Sequence, residues 1–522
     1  MQMKPLHSVT FYYLILLLSL GLYHWPLMQF AASKLDLSHW AGMQTLVTVL
    51  ALITLLSCVV FGALLLVSRR LVKLVLSFVA LTNALALYFM LTYQVIIDRT
   101  MIGNIVNTDM SEAGELWHPK LLLYLLVLGV GPIVLLWQWP IQKTKRLKLL
   151  GHSALVAVLC IGWMAASGST WLWIDKHAKQ LGGQILPWGY VANSLRYYAA
   201  YAEANAPQQP LPPLTKQAQG KRLVVLVIGE TARKQNFALY GYERPTNPKL
   251  LTTGAIAMNN PVACSTYTTA SIKCMLSHAD PATLDANYEV LPSYLHRHGM
   301  EVIWHSNNWG QPPMSVTSYR RAGELVTTCD GPNCHLDDVL LTGLKARIQA
   351  AESDKVLIVL HQKGSHGPAY HTRYGEGQAV FQPVCESVDL AQCEPMALMN
   401  AYDNSIVHTD ALLFDTITML KQLPDWPSTM VYMSDHGESL GEFGLYLHGT
   451  PYAIAPEVQK QVPMIVWMSD SFQQQAKVDV QKFNQRQYHD QHMIFHSIMG
   501  ALGLKNDVYQ PLLDIFHHQE NP

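Results

Sequence analysis

Charge is scarce in this 522-residue chain: 14% of its residues are Asp, Glu, Lys or Arg, while 50% are hydrophobic. Soluble domains carry about 25% charged residues, so part of the chain belongs in lipid. An excess of either sign is also missing, with 36 Lys+Arg against 37 Asp+Glu. A nucleic-acid binder needs a basic footprint to displace counterions from phosphates, and a near-neutral chain excludes that class. Disorder and coiled coil are excluded by 13 Trp, 24 Tyr and 28 Pro. No pair among the eight Cys has Cys-x-x-Cys spacing, which removes the commonest zinc-cage and redox patterns.

Long uncharged runs are abundant. They occupy Val9 to Ala31, Met43 to Ser68, Leu74 to Ile97, Leu121 to Trp139 and Leu149 to Ile174, each near or above the roughly 20 residues that cross about 30 Å of hydrocarbon. Five transmembrane helices are expected. Basic residues fall in alternate connections: Lys4 before the first run, Arg69, Arg70 and Lys73 after the second, and Lys143, Lys145, Arg146 and Lys148 after the fourth. The positive-inside rule makes those stretches cytoplasmic. The connections around Lys34 to His39 and Asp98 to His118, and everything after Ile174, then face outward. A cleaved signal peptide is the alternative for the first run, because Ala31, Ala32 and Ser33 follow it, but the run is about twice as long as a usual h-region.

Cysteine use fits that orientation. Cys58 and Cys160 lie inside apolar runs and read as fillers. The other six follow Ile174 as close pairs, Cys264 with Cys274, Cys329 with Cys334 and Cys385 with Cys393. In an outward-facing domain this reads as three local disulfides, with zinc cages as the competing reading. The expected organisation is a transmembrane domain over 1–174, an interfacial helix and Pro/Gln-rich linker over 175–214, and an outward catalytic domain over 215–522.

In that last part, short apolar runs recur between helical stretches: Leu223 to Ile228, Val302 to Trp304, Val356 to Leu360, Met430 to Met433 and Met464 to Trp467. Such alternation predicts an α/β fold, a mainly parallel sheet with helices on both faces. Ligands then sit beyond the carboxyl ends of the strands. The residues found there are chemical: Gly229-Glu230-Thr231, then His361 through Gly367 with His366, then Ser434-Asp435-His436-Gly437-Glu438, with His448 in a Gly-rich loop. One His or Asp after a strand is ordinarily a loop cap. Three clusters at equivalent positions predict a metal site, and carboxylate with imidazole is the ligand set zinc takes without thiolates. Between the first two strands, Cys264-Ser265-Thr266-Tyr267-Thr268-Thr269 offers hydroxyls that a metal would activate as nucleophiles.

These motifs are carried in order by one family. Glu230-Thr231-x-Arg233 with Gly241-Tyr242, the Cys-x-x-x-Thr segment, His366-Gly367-Pro368, Asp435-His436-Gly437-Glu438 and Leu447-His448-Gly449 resemble the membrane phosphoethanolamine transferases. That group includes the lipid A modifying and mobile colistin-resistance enzymes and belongs to the alkaline phosphatase and sulfatase-like superfamily. The resemblance implies Glu230, Thr268, Asp435 and His436 as zinc ligands and Thr268 as the nucleophile. Thr269 is the alternative, but the family spacing from the first cysteine selects Thr268. His366 and His448 match histidines that hold the transferred phosphate or a second zinc. Glu438 is implied near the substrate amine or a metal-bound water, and Asn308 at the headgroup. Asn104, Thr108 and Glu112 stand four residues apart, which predicts one helical face; the family's corresponding loop binds ethanolamine. A departure is also visible: Asn308-Trp309-Gly310-Gln311-Pro312-Pro313 lacks the basic group many members carry there.

The implied reaction is zinc-dependent transfer of phosphoethanolamine from phosphatidylethanolamine to lipid A through a phospho-threonine, giving polymyxin resistance at a bacterial inner membrane, with the catalytic domain in the periplasm and the protein a monomer. One zinc is implied firmly and a second is left open. A core sugar or periplasmic glucan as acceptor, and a lipoteichoic-acid-type glycerol phosphate transferase, are the alternatives. A sulfatase is disfavoured because the nucleophile segment lacks Cys/Ser-x-Pro-x-Arg. A sensor using the metal only structurally is disfavoured because structural zinc sites are closed by four Cys or His side chains.

Overall fold

The computed structural model describes residues 5–108, 110–284, 286–480 and 483–517. Lys4 lies outside the described residues, as do the side chains of residues 107, 110–112, 203 and 204. The chain divides into two units, Met1–Ala200 and Tyr201–Pro522.

Four helices of the first unit are long and apolar enough to cross a membrane: Trp40–Val67, Arg69–Thr92, Pro119–Gln138 and Arg146–Ala166. A fifth span is reached by counting Ser8–Tyr23 and Trp25–Lys34 together, a pair bent by 64°. The first run therefore departs from the straight span expected for it. Pro26 has no N–H to donate to the preceding turn and its ring crowds the carbonyl four residues back, so the helix breaks at His24 and restarts with Pro26 in its first turn. A second proline acts more gently. Pro132 leaves the carbonyl of Leu128 without a helical donor, the helix widens to a π turn over Leu125–Val130, and the Tyr23 hydroxyl donates to that carbonyl at 2.8 Å. The fifth run stops short of Ile174, its helix ending at Ala166 before a short turn at Gly168–Thr170.

The basic connections gather at one end of this unit. Ser68 alone separates two long helices, its hydroxyl accepting from the amides of Arg70 and Leu71. Arg69 donates to the carbonyl of Ile141, and Lys73 to that of Trp139 at 2.7 Å. Leu6 and His7 pair with Ile141 and Gln142 in a two-stranded ribbon. Three stretches far apart in sequence thus share one end, the arrangement that the positive-inside argument requires.

The second unit is built on a seven-stranded sheet: β1 (Arg222–Gly229), β2 (Ile256–Ala257), β3 (Glu301–Ser306), β4 (Ser318–Arg321), β5 (Lys355–His361), β6 (Ser428–Ser434) and β7 (Met464–Met468), in spatial order β2-β7-β6-β1-β5-β3-β4. Strands β6, β1, β5, β3 and β4 run parallel, and β7 is antiparallel to β6. All five apolar runs of the sequence are strands. β1 reads as a continuous apolar run because both its faces are covered. Val224, Leu226 and Ile228 meet helices carrying Ile272, Leu295 and Ile498, while Leu223, Val225 and Val227 meet those carrying Leu344, Ile406 and Leu413. Cys264–Cys274, Cys329–Cys334 and Cys385–Cys393 are bonded, and Cys58 and Cys160 are free and buried.

Candidate active site

The neighbours β6, β1, β5 and β3 deliver their next residues to one place. Glu230 follows β1, Asp435 and His436 follow β6, His361 closes β5, and Asn308 follows β3 by two residues. Thr231 takes a left-handed φ of 51°, turning the chain sharply so that its amide donates to Asp435 Oδ1 at 3.1 Å. Gly364 is needed beside it. At φ 50° a Cβ would lie 2.8 Å from the Glu230 carbonyl oxygen, so the loop after β5 approaches Glu230 only without a side chain.

Thr268 opens the helix Thr268–Leu276. Its hydroxyl donates to Glu230 Oε2 at 3.3 Å and lies 3.3 Å from His436 Nε2. His436 Nδ1 is 3.0 Å from the carbonyl of Gly437, an acceptor that places the ring proton on Nδ1 and leaves the Nε2 lone pair facing Thr268. That nitrogen is also 3.4 Å from Glu230 Oε1 and 3.2 Å from Asp435 Oδ2. Glu230, Asp435 and His436 are at most 1% exposed, and Glu230 Oε1 and Asp435 Oδ2 have no hydrogen-bond donor. Burial holds His436 below the usual imidazole range and Glu230 well above the carboxylate range, where the Asp435 charge adds to the rise. Buried lone pairs converging with no donor group of the fold between them are what a cation requires. Ligand atoms of Glu230, Asp435 and His436 all lie within 4.8 Å of one another, and two carboxylates with one imidazole fit zinc.

A second cluster shares Glu230. Its carboxylate, His366 and His448 also bring ligand atoms within 4.8 Å of one another. The His448 ring stands 4.2 Å from that of His436 and 5.6 Å from that of His366. His448 Nδ1 is 3.2 Å from Glu438 Oε1, so a buried carboxylate orients this imidazole. Burial pushes Glu438 up to about 8 and His448 down to about 4, and holds His366 well below its ordinary value.

Asn308 sits against Glu230 and not in open solvent. Its amide donates to Glu230 Oε2 at 2.7 Å and to the Gln362 carbonyl at 2.9 Å, and its Oδ1 accepts from the Trp309 amide at 2.8 Å. Those bonds aim the Glu230 carboxylate. At Gly310, φ 98°, a Cβ would approach the Cγ2 atoms of Thr268 and Thr269 to 3.3 Å, so the changed loop packs directly on the segment that carries both threonines. Asn308→Ala leaves Glu230 Oε2 without this donor, and zinc affinity is expected to fall about 10- to 100-fold with little change in melting temperature; competition titration with a chromogenic chelator measures it.

In the first unit, the single helical face expected for Asn104, Thr108 and Glu112 is not formed. The helix Arg99–Asn107 ends before Thr108, whose φ and ψ of −59° and 123° are non-helical. The Thr108 hydroxyl bonds back to the Asn104 carbonyl at 2.7 Å, the competition with helix continuation that short polar side chains provide. A new helix begins at Met110, and the Glu112 side chain lies outside the described residues.

Two positions escaped sequence reasoning. Gln491 donates to the carbonyls of Ser434 and Asp435 at 2.9 and 2.6 Å and accepts from the Cys264 amide at 2.8 Å. Asp337 accepts from the amides of Lys363 and Gly364 and from the Asn307 side chain at 2.8 to 2.9 Å. Each is one polar residue far from any motif, with no spacing signal to mark it.

Residues 53–202 match the family model for phosphoethanolamine transferase EptA/EptB, and residues 222–504 match the sulfatase model. The chain is 37% identical to phosphoethanolamine transferase EptA of Helicobacter pylori, over 99% of this chain and 98% of the relative. It is 34% identical to phosphatidylethanolamine transferase Mcr-1 of Escherichia coli, over 80% and 83%. Among solved structures it resembles the integral membrane lipooligosaccharide phosphoethanolamine transferase A of Neisseria meningitidis, with a TM-score of 0.86, 25% identity, and 98% and 99% of the two chains covered.

Proposed function

The chain belongs to the phosphoethanolamine transferase family and is a transferase, and from that premise we propose that it moves phosphoethanolamine from phosphatidylethanolamine to lipid A through a phospho-threonine at Thr268. The observation that carries this reading is the Thr268 hydroxyl, 3.3 Å from both Glu230 Oε2 and His436 Nε2 at the mouth of a helix. Glu230, Thr268, Asp435 and His436 would hold one zinc ion, and His366 and His448 the transferred phosphate or a second. When bound, zinc supplies the Lewis acidity that lowers the hydroxyl pKa and offsets charge on phosphoryl oxygens.

The rest of the chemistry belongs to side chains. Thr268 Oγ1 gives its proton to Glu230 Oε2, the oxygen its hydroxyl already donates to, and attacks phosphorus; the P–O bond to diacylglycerol breaks as the leaving oxygen takes up that proton. An oxygen of a lipid A phosphate then attacks the same phosphorus, and the Thr268 oxygen leaves and regains a proton. His366 and His448 face the phosphoryl oxygens, with Glu438 fixing the His448 ring. The nine-residue helix behind Thr268 presents the positive end of its dipole to the phosphate. Asn104, Thr108 and Glu112 are assigned to the ethanolamine headgroup on the family resemblance. Both substrates are lipids, and membrane-embedded helices on the same chain replace high affinity by effective concentration. The catalytic unit is assigned to the periplasmic face of the inner membrane. An added ethanolammonium offsets one phosphate charge on lipid A and weakens attraction for cationic peptides such as polymyxin. Mass spectrometry of lipid A from a Gram-negative host expressing this protein is expected to show the phosphoethanolamine mass increment; unmodified lipid A beside modified core sugar or glucan would move the acceptor.

A further inference from the structure

Phe443 is the most exposed large apolar side chain among the described residues, 91% accessible. Its backbone is left-handed, with φ 56°, a region bulky side chains rarely adopt. Both properties count against phenylalanine here, since glycine or asparagine would accept the φ and expose no ring. No packing within the unit compensates a ring this exposed. The turn holding it is nevertheless firmly tied. The Glu442 carboxylate accepts from Arg233 Nη1 and from the Leu440 amide, both at 2.7 Å. The amides of Gly441, Leu445 and Gly444 bond to the carbonyls of Leu445, Glu442 and Gly441 at 2.9 to 3.0 Å. Strands Ser439–Leu440 and Tyr446–Leu447 pair beneath the turn, so the ring is displayed in a fixed direction.

The base of this hairpin is the active site. Glu438 and His448, 3.2 Å apart, flank the two strands, and Phe443 lies five residues from each. A fully extended chain of that length reaches no more than about 18 Å. The hydrocarbon of one leaflet is about 15 Å deep, half of a bilayer core. The tight turn shortens the reach of the chain, so the acyl chains of a lipid whose phosphorus lies at Thr268 have a span comparable to the hairpin and can extend along it toward the ring. A single ring on a tight turn offers far less than the roughly 800 Å² per partner that a stable protein interface buries, whereas lipid binding grows with each increment of apolar area covered.

We propose that Phe443 is an acyl-chain contact that helps seat the diacyl phospholipid donor while its headgroup lies among Thr268, His366 and His448. The inference rests on the reading of function given above. It is tested with full-length enzyme in detergent micelles, following formation of the Thr268 adduct by intact-protein mass spectrometry. Two donors are compared, long-chain phosphatidylethanolamine and glycerophosphoethanolamine, which has the same headgroup and no acyl chain. Phe443→Asn, which suits the left-handed backbone and removes the ring, is expected to lower the ratio of the two kcat/KM values about tenfold, through KM for the long-chain donor. Phe443→Leu, which keeps apolar surface, is expected to retain the ratio within about twofold. An unchanged ratio in Phe443→Asn, or equal losses in both variants, would overturn the acyl contact while leaving the transferase reading intact. Absence of adduct on the wild type with either donor would overturn both.

Discussion

Lipid A from cells expressing Thr268→Ala will carry no added phosphoethanolamine, and purified variant will have lost transfer by a factor of about 10⁴ or more. The magnitude follows from the role. On the proposed mechanism Thr268 forms the covalent intermediate and has no substitute in its own site, and water entering instead would give hydrolysis. Glu230, Asp435 and His436 remain in Thr268→Ala, so the variant is expected to bind zinc while forming no adduct with donor lipid. Thr269→Ala is the control, since the hydroxyl bonded to Glu230 and His436 is that of Thr268; it should change turnover by less than about threefold. Thr268→Ser should keep part of the activity, because the oxygen remains and only the methyl group that meets Gly310 is lost. Transfer surviving in Thr268→Ala with zinc bound would replace the two-step mechanism with direct attack by the acceptor.

The second large effect is a reversal of sign. Glu230, Asp435 and Glu438 bring three carboxyl groups into a fully buried site. Without a cation, burial and carboxylate crowding hold Glu230 and Glu438 toward the protonated form, an ionisation cost that opposes folding, and bound zinc would stabilise the charged carboxylates instead. Asp435→Asn removes one charge and keeps the oxygen that accepts from the amides of Thr231 and His436 at 3.1 and 2.7 Å. In chelator, the variant should melt about 2–4 °C above the wild type, corresponding to roughly 1 kcal/mol. In excess zinc the order should invert, because the wild type gains stability by binding and the variant, with affinity lowered about 100-fold or more, gains little. Thermal melts of both proteins with and without zinc read this directly. A lower melting temperature for the variant in chelator, with an undiminished zinc shift, would remove Asp435 from the ligand set.

Much of this architecture is visible in the chain itself because its signals are long or repeated. Strand β1 holds six consecutive apolar residues, Leu223 to Ile228, covered on both faces, and the helix from Trp40 to Val67 has no charge to interrupt it. Glu230, Asp435 and His436 were legible because each follows such a strand, and topology sends adjacent parallel strands to the same edge. Signals confined to one residue were weaker. Pro26 sits in an apolar run that hydropathy reads as one span, yet it bends the pair by 64°. Strand β4, Ser318–Arg321, has no apolar run because it is an edge strand half open to solvent. The spacing of Asn104, Thr108 and Glu112 suits a helix, but side-chain bonding at Thr108 ends the helix first. Asn308 was legible as a residue near the site, while its bond to Glu230 depends on the loop after β3 reaching the end of β5.

Gln491 has a further implication for chemical intervention. Its side-chain amide joins the Cys264 end of the nucleophile loop to the carbonyls of Ser434 and Asp435, so the two loops form one mechanical body. An inhibitor that wedges against either loop would press on both, and a resistant variant that shifts one loop to evade it must displace the other half of the reaction centre. Escape routes for such a compound are thereby narrowed to residues outside the clamp.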